Sequence, residues 1–489
     1  MADTSLDIDS QYIYLRGLNV DGLKLDKLFD FSFTQRPGDH AYAQIKGRMT
    51  TDDGDKLVKT AAITTKVKVF NGQKPQADNV LFVGFLSDFT LINKRGWYYI
   101  EAELIDASIQ LDLEKMSASY QKLDAKYQDI LTKACGKDAT VKITATDTAI
   151  KRLILQLEET PWEFACRMAS HLGTYVFTDF LAEKPFISVG AMEAKQTLTA
   201  DSKVVDHYIL SAAGFARWQK NAATAGPEKN AAAGKIIQDD FSERHIYSGT
   251  PVRLGDKIKV DKTEYLVASI EAYLRPEESD NRLVYEIGLG TKASFCQEWQ
   301  PNYKCMGRML KGQVKKVDKD KVQVHLFELD KTYDSSSTMW FPFATAYSSS
   351  DGSGWYVMPE ENDYVRVILP TYEEGDAFTY SGINTAPLNK PRNKSFKAPG
   401  GKEILLTDTG VEIICSHQKI FASLDDKKGI ALISSQNVNV SANGDISLEA
   451  KGKVQIIAKS EINIQSGSSH VKLKPNQIGF GGSSVIVGE

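Results

Sequence analysis

The chain has 489 residues, of which 25% are charged and 42% hydrophobic, and its formal net charge is −4. That length allows about two to four domains with a sizeable core in each, and the near balance of charge gives no electrostatic case for a nucleic-acid or anionic-membrane partner. No apolar run approaches the roughly 20 residues of a membrane span, and MADTSLDIDS at the N-terminus has neither the basic start nor the apolar run of a signal peptide.

Residues 12 to about 110 consist of short alternating runs, YIYLRGLNV, FSFTQR, AYAQIKGRM, TTKVKVF, NVLFVGFL and WYYIEAELI, separated by Gly, Asp, Asn and Pro. Period-2 alternation with such breaks predicts an antiparallel sheet closed as a barrel or sandwich. Between about 117 and 180 the period becomes helical in AKYQDILTKACG and TPWEFACRMASHLG, with Thr160 as N-cap, Pro161 at N1, and Gly136 and Gly173 as helix-ending glycines. Strands return in TPVRLGDKIKV, EYLVASIEAYL and RLVYEIGLG, and the small, polar residues 220–235 read as a surface loop.

Near Pro301 a new unit begins. GQVKKVD, KVQVHLFELD, TMWFPFAT, GWYVMP and DYVRVILP predict five compact strands of a small closed barrel of the oligonucleotide/oligosaccharide-binding (OB) type. The segment NTAPLNKPRNKSFKAPGG (384–401) has three prolines and no apolar period, so it reads as a linker.

From about Lys402 an eight-residue repeat takes over. One column holds Ile430, Val438, Ile446, Val454 and Ile462, and a second holds Leu432, Val440, Leu448, Ile456 and Ile464. A third column is uniformly small: Ser434, Ala442, Ala450, Ala458 and Ser466. Such a unit is a short strand with one buried face followed by a turn, and it must stack on other units to bury anything. One chain could wind three octads per coil into a solenoid, or three chains could wrap about a common axis. Three chains are the better expectation, because about ten octads give only three or four solo coils, against a prism about 50 Å long at 4.7 Å per strand. The repeat slips after His470, where Pro475 and glycines 479, 481 and 482 cluster, which reads as the taper of the prism.

The order of these parts resembles the VgrG family, the spike proteins of bacterial contractile injection systems, which are similar to the hub and spike of contractile phage tails. Three further stretches carry the resemblance: FSFTQRPGDHAYAQIKG (31–47), QLEETPWEFACRMASHLGTYVF (156–177) and PVRLGDKIKV (251–260) followed by EYLVASIEAYL. In the second of these the hub motif falls on Glu159, Trp162, Phe164, Arg167 and Gly173. The resemblance implies a mainly β chain in four parts: a tail-hub-like domain (1–300) of two β-barrel-like subdomains with helices at 117–180, an OB-like barrel (301–385), a linker (386–401) and a triple-stranded β-helix (402–489) intertwined in a homotrimer. It implies as partners an inner-tube hexamer of the Hcp type, baseplate proteins, effectors and a PAAR-type tip protein seated on Ile478, Phe480, Val485, Ile486 and Val487. Nucleic acid is not among them, and the target membrane is touched only transiently. The implied location is the bacterial cytoplasm during synthesis, then the apparatus and the outside of the cell.

Departures from the family pattern bear on chemistry. The glycine of the phage octad follows the apolar residue, whereas here Gly444 and Gly452 precede Ile446 and Val454. The interval between barrel and prism is too short for the lysozyme domain of the phage spike. His470 stands alone where some phage tips hold iron with His-x-His, so no metal site or cofactor is carried over.

The seven histidines show no HExxH and no metal-spaced pair, there is no GxSxG, and the five cysteines show no CxxC. His171 and Cys166 stand five apart on one helix and so face apart. Asp239-Asp240 and Glu277-Glu278 read as solvated turn charges, and Trp340, Phe341 and Phe343 as core or trimer contacts. The expectation is a mechanical spike without catalysis. Its alternatives are a phage or bacteriocin baseplate spike and, in another class, a single-chain β-solenoid adhesin or polysaccharide-acting enzyme.

Overall fold

The computed structural model describes residues 4–5, 12–200, 205–225, 236–277, 280–382, 390–416 and 419–486. They form two compact units, Met1–Thr385 and Ala386–Glu489.

The first unit starts from the alternating runs. Strands β1 (Lys27–Gln35) and β2 (Tyr42–Thr50) pair antiparallel, followed by helix α1 (Thr51–Thr60) and the long hairpin β3 (Val80–Lys94) and β4 (Trp97–Ile105). The alternation does what period 2 requires: Ala41, Ala43, Ile45, Gly47 and Met49 are buried while Tyr42, Gln44, Lys46 and Arg48 are not. Helix α1 occupies TDDGDKLVKT, which the strand pattern passes over as a break between strands. Its signals are local ones: the Thr50 side chain accepts a hydrogen bond from Asp53 N, and Asp52 and Asp53 complement the first turn.

The middle of this unit contains helix α2 (Tyr127–Cys135), strand β5 (Ile154–Glu159) and helix α3 (Pro161–His171). Both helices stand where the 3.6-residue period places them. Thr160 caps α3, taking a bond from Glu163 N while Glu163 reaches back to Thr160 N. Gly136 (φ 77°) and Gly173 (φ 68°) end the two helices in the left-handed region that side chains avoid.

The late hub adds strand β6 (Val205–Leu210), helix α4 (Ala212–Ala225), and strands β7 (Ser242–Ser248), β8 (Thr263–Arg275) and β9 (Arg282–Gly290). Residues 220–225 thus complete a helix rather than open a loop, consistent with the high helix propensity of alanine; 226–235 lie outside the described residues. β8 pairs with β1, so the early and late hub strands share one large sheet. Their common core centres on Phe33, whose ring lies 5.6 Å from Phe82, 5.1 Å from Phe180 and 5.9 Å from Tyr285.

The small barrel closes in the order β10 (Arg308–Asp318), β11 (Lys321–His325), β12 (Phe341–Ala344), β14 (Phe378–Gly382) and β13 (Tyr364–Leu369). Four of its strands fall on the sequence-predicted runs. The fifth is FTYSG (378–382) and not GWYVMP (354–359), whose Trp355, Tyr356 and Val357 are exposed. Phe341 is fully buried in the barrel core.

In the second unit five strands form an antiparallel meander: β15 (Lys394–Ala398), β16 (Lys402–Leu406), β17 (Gly410–Ser416), β18 (Ile420–Asp425) and β19 (Gly429–Ser434). The sequence reading places linker at 386–401, yet β15 forms within it; 386–389 are outside the described residues. Residues 435–461 carry no strand, and a second meander follows in β20 (Ile462–Ser466), β21 (Ser469–Lys474) and β22 (Gln477–Gly481). The first octads and the taper therefore fold as hairpins.

Candidate functional site

The seven-residue run LILQLEE (153–159) is apolar on both faces because two cores claim it. Leu153, Leu155 and Leu157 enter the barrel core, and Ile154 enters the core of α2 and α3. The register slips between Gln156 and Glu159, with Glu158 at φ 52°, which turns the Glu159 carboxylate inward.

There Arg167, on α3, meets Glu159 through two parallel bonds of 2.8 Å, from Nε and Nη2. Nη2 also donates to Leu155 O at 2.7 Å, and Nη1 reaches Glu374 Oε1, next to the barrel strand β14, at 3.4 Å. Glu374 Oε1 further accepts from Leu155 N and from Asn302 Nδ2, at 3.0 and 2.8 Å. All three charged side chains are buried. Burial works against the Arg167 charge, but the bonds it donates to Glu159 and the charge of Glu374 outweigh it and its pKa is raised. Burial also lifts the Glu374 carboxyl above its ordinary range, against the pull of Arg167. The arrangement is a clamp between the helical layer and the barrel.

The other hub-motif residues serve the same layer. Trp162 stacks on His40 at 4.2 Å, Phe164 stacks on Tyr120 at 5.3 Å, and the Arg167 guanidinium lies 5.4 Å from the Phe164 ring. Spacing alone conceals a neighbouring group: His40 Nδ1 lies 2.5 Å from Ser108 Oγ, and Ser108 bonds to Asp106. These are serine, histidine and aspartate together, yet all three are buried, and the serine donates to the aspartate rather than to the imidazole, so no nucleophile is presented. Burial pushes the Cys135 and Cys166 thiols up to about 12, far from thiolate chemistry. Asp240 is buried and accepts a 2.6 Å bond from Thr291 Oγ1, so it is a structural acceptor and not the solvated charge its sequence context suggests.

The octad columns lie on the surface of their unit, with one exception among the ten apolar positions. Ile430, Leu432, Val438, Val440, Ile446, Leu448, Val454, Ile456 and Ile464 are exposed, from 54% at Ile446 to 79% at Leu448, and Ile462 is half-buried. No described residue of 390–486 is buried at all. Of the tip positions, Ile478, Phe480, Val485 and Ile486 are exposed, and Val487 lies outside the described residues.

A large sheet, a helical layer clamped to a closed five-strand barrel, and a separate β-rich unit with exposed apolar columns define the fold class. No protein-family description and no curated protein matches the sequence. Solved structures match it in fold. A chain of the lidded Francisella PdpA–VgrG complex aligns over 87% of this chain and 80% of its own, at 10% identity and a TM-score of 0.50. The fold is thus of the VgrG type that the sequence resembles. The E. coli c3393 protein is described as a type VI secretion component with structural similarity to T4 bacteriophage tail proteins gp27 and gp5. It aligns over 75% of this chain and 99% of its own, with 13% identity and a TM-score of 0.49. The 43 kDa tail protein of prophage MuSo2 from Shewanella oneidensis aligns over 59% and 99%, with 12% identity and a TM-score of 0.39.

Proposed function

We propose that the protein is the homotrimeric hub and spike of a contractile injection apparatus, of the type VI secretion kind or an extracellular relative. Its hub would adapt a hexameric, Hcp-like inner tube to threefold symmetry and seat on baseplate proteins. Its octad unit, wound with two other copies, would form the rigid needle that meets the target membrane. The tip residues Ile478, Phe480, Val485, Ile486 and Val487 would receive a PAAR-type cap, and effectors would travel with the assembly from the cytoplasm outward. Its role is mechanical, not catalytic.

One observation carries this reading: a unit of about a hundred residues buries none of its described side chains while repeating Ile, Val and Leu every eight positions. Exposed apolar surface of this extent and order marks a partner face, and full burial of each such side chain is worth about 1.5–3 kcal/mol. A single-chain solenoid would instead bury its columns within one copy. The test is mass by light scattering on the full chain and on Val454→Asp. Wild type is expected as a trimer and the variant as a monomer, because three carboxylates would meet near the axis without partners. A monomeric wild type, or a stable trimeric Val454→Asp, would refute the intertwined needle.

A further inference from the structure

Antiparallel pairing of β6 with β7 puts His207 directly opposite His245, residues 38 positions apart that no spacing rule would join. The two imidazoles stack, with centroids 4.3 Å apart. β7 in turn pairs with β9, which brings Glu286 to the same place, with Oε1 3.1 Å from His245 Nδ1. One donor atom from each of His207, His245 and Glu286 lies within 4.8 Å of the others. We propose that these three side chains form a site for a divalent cation of the Zn2+ type, with a fourth position open to water.

Three features of the geometry support this. Two donors at about 2.0–2.1 Å from a tetrahedral Zn2+ stand about 3.3 Å apart, close to the separation of His245 Nδ1 and Glu286 Oε1. Each histidine also has a carboxylate on its other nitrogen. Asp206 Oδ2 lies 3.0 Å from His207 Nδ1, leaving Nε2 to coordinate, and Glu243 Oε2 lies 3.3 Å from His245 Nε2. That pairing of imidazole and carboxylate is how proteins fix the tautomer of a metal-ligating histidine. His245 Nε2 is buried with Glu243 Oε2 as its polar neighbour, which leaves Nδ1, on the Glu286 side, as the coordinating atom. Stacked rings aim their in-plane lone pairs in parallel, so coordination requires His207 to turn. The His207 side chain is 40% exposed, so it can turn, and its open side is the path of entry.

The site would also have a structural consequence. Among the described strands β6 pairs only with β7, and its Tyr208, Ile209 and Leu210 are exposed. A cation bridging β6, β7 and β9 would pin this strand to the sheet.

The test is calorimetric titration of chelator-treated full-length protein with Zn2+, repeated with Co2+ read by its visible absorption. The expected result is one equivalent per chain, intense Co2+ bands of four-coordinate type, and slower amide exchange in 205–210. His207→Ala, at a half-exposed position that does not threaten folding, and Glu286→Gln should each weaken Zn2+ by more than about a hundredfold, and Asp206→Asn by about tenfold. Glu264→Gln, an exposed carboxylate on β8 outside the cluster, should leave binding unchanged. Absence of stoichiometric binding, or binding that survives His207→Ala and Glu286→Gln equally, would overturn the assignment.

Discussion

Arg167→Met tests whether the buried clamp holds the helical layer to the barrel. The substitution keeps much of the aliphatic volume and removes the charge, the two 2.8 Å bonds to Glu159, the 2.7 Å bond to Leu155 O and the 3.4 Å contact with Glu374. It strands two carboxylates that are each more than nine-tenths buried. Removing one partner of such a buried network costs about 3–5 kcal/mol. The cost must depend on pH. In the variant both carboxyls rise in pKa, so the folded state binds protons where the unfolded chain has already released them. Stability then falls as pH rises, and the deficit against wild type is largest near pH 8 and shrinks toward about pH 5. Tryptophan fluorescence in urea is the assay, because all six tryptophans (97, 162, 218, 299, 340 and 355) lie in the first unit. Adding Glu159→Leu and Glu374→Gln should recover most of the loss, since the amide oxygen of the new glutamine still accepts from Leu155 N. A deficit below about 1 kcal/mol, well under the 3–5 expected for a broken buried pair, or one equal at both pH values, would refute the clamp.

Thr160→Ala removes both the cap of α3 and a bond to Asp112, and should cost about 1–2 kcal/mol in the same fluorescence assay, with Thr160→Ser retaining most of it. Iodoacetamide at pH 8 should leave Cys135 and Cys166 largely unmodified in the folded chain and label both in urea, as read by peptide mass, because burial holds each thiol up to about 12. Glu183 is held down to about 2 by bonds from Lys66 and Lys68, but the group is half-exposed. Glu183→Gln should therefore shift the urea midpoint by the equivalent of less than about 1 kcal/mol.

The parts of the fold that were legible in the sequence are those set by local rules. The α3 boundaries follow from Thr160, Pro161 and Gly173, and the core face of β2 follows from alternation alone. What stayed hidden depends on pairings across the chain. Glu159 and Arg167 stand out within one helix motif, but their third member, Glu374, is more than 200 positions away and needs the barrel to exist first. His207 and His245 become neighbours only through strand register. GWYVMP has strand composition but exposed side chains, and the closing strand is instead FTYSG, where Thr379 is buried and donates to Pro342 O. Propensity reports what a segment tolerates, and closure of the barrel decides which segment is used.

The two units should differ in how they refold. The first carries all three clusters of buried apolar residues, so its folding needs only its own chain. The second has no buried described residue, and its columns can be covered only by other copies on the trimeric reading. After dilution from urea, recovery of tryptophan fluorescence should be independent of chain concentration. Recovery of exchange-protected amides in 402–481 should rise steeply with concentration, because three chains must meet before any column is buried. The second unit contains neither tryptophan nor tyrosine, so the optical signal of the first is not contaminated by it. If amide protection in 402–481 returned at the same rate over a hundredfold range of concentration, the columns would be closing within one chain. The needle would then have to be a solenoid rather than a three-chain prism.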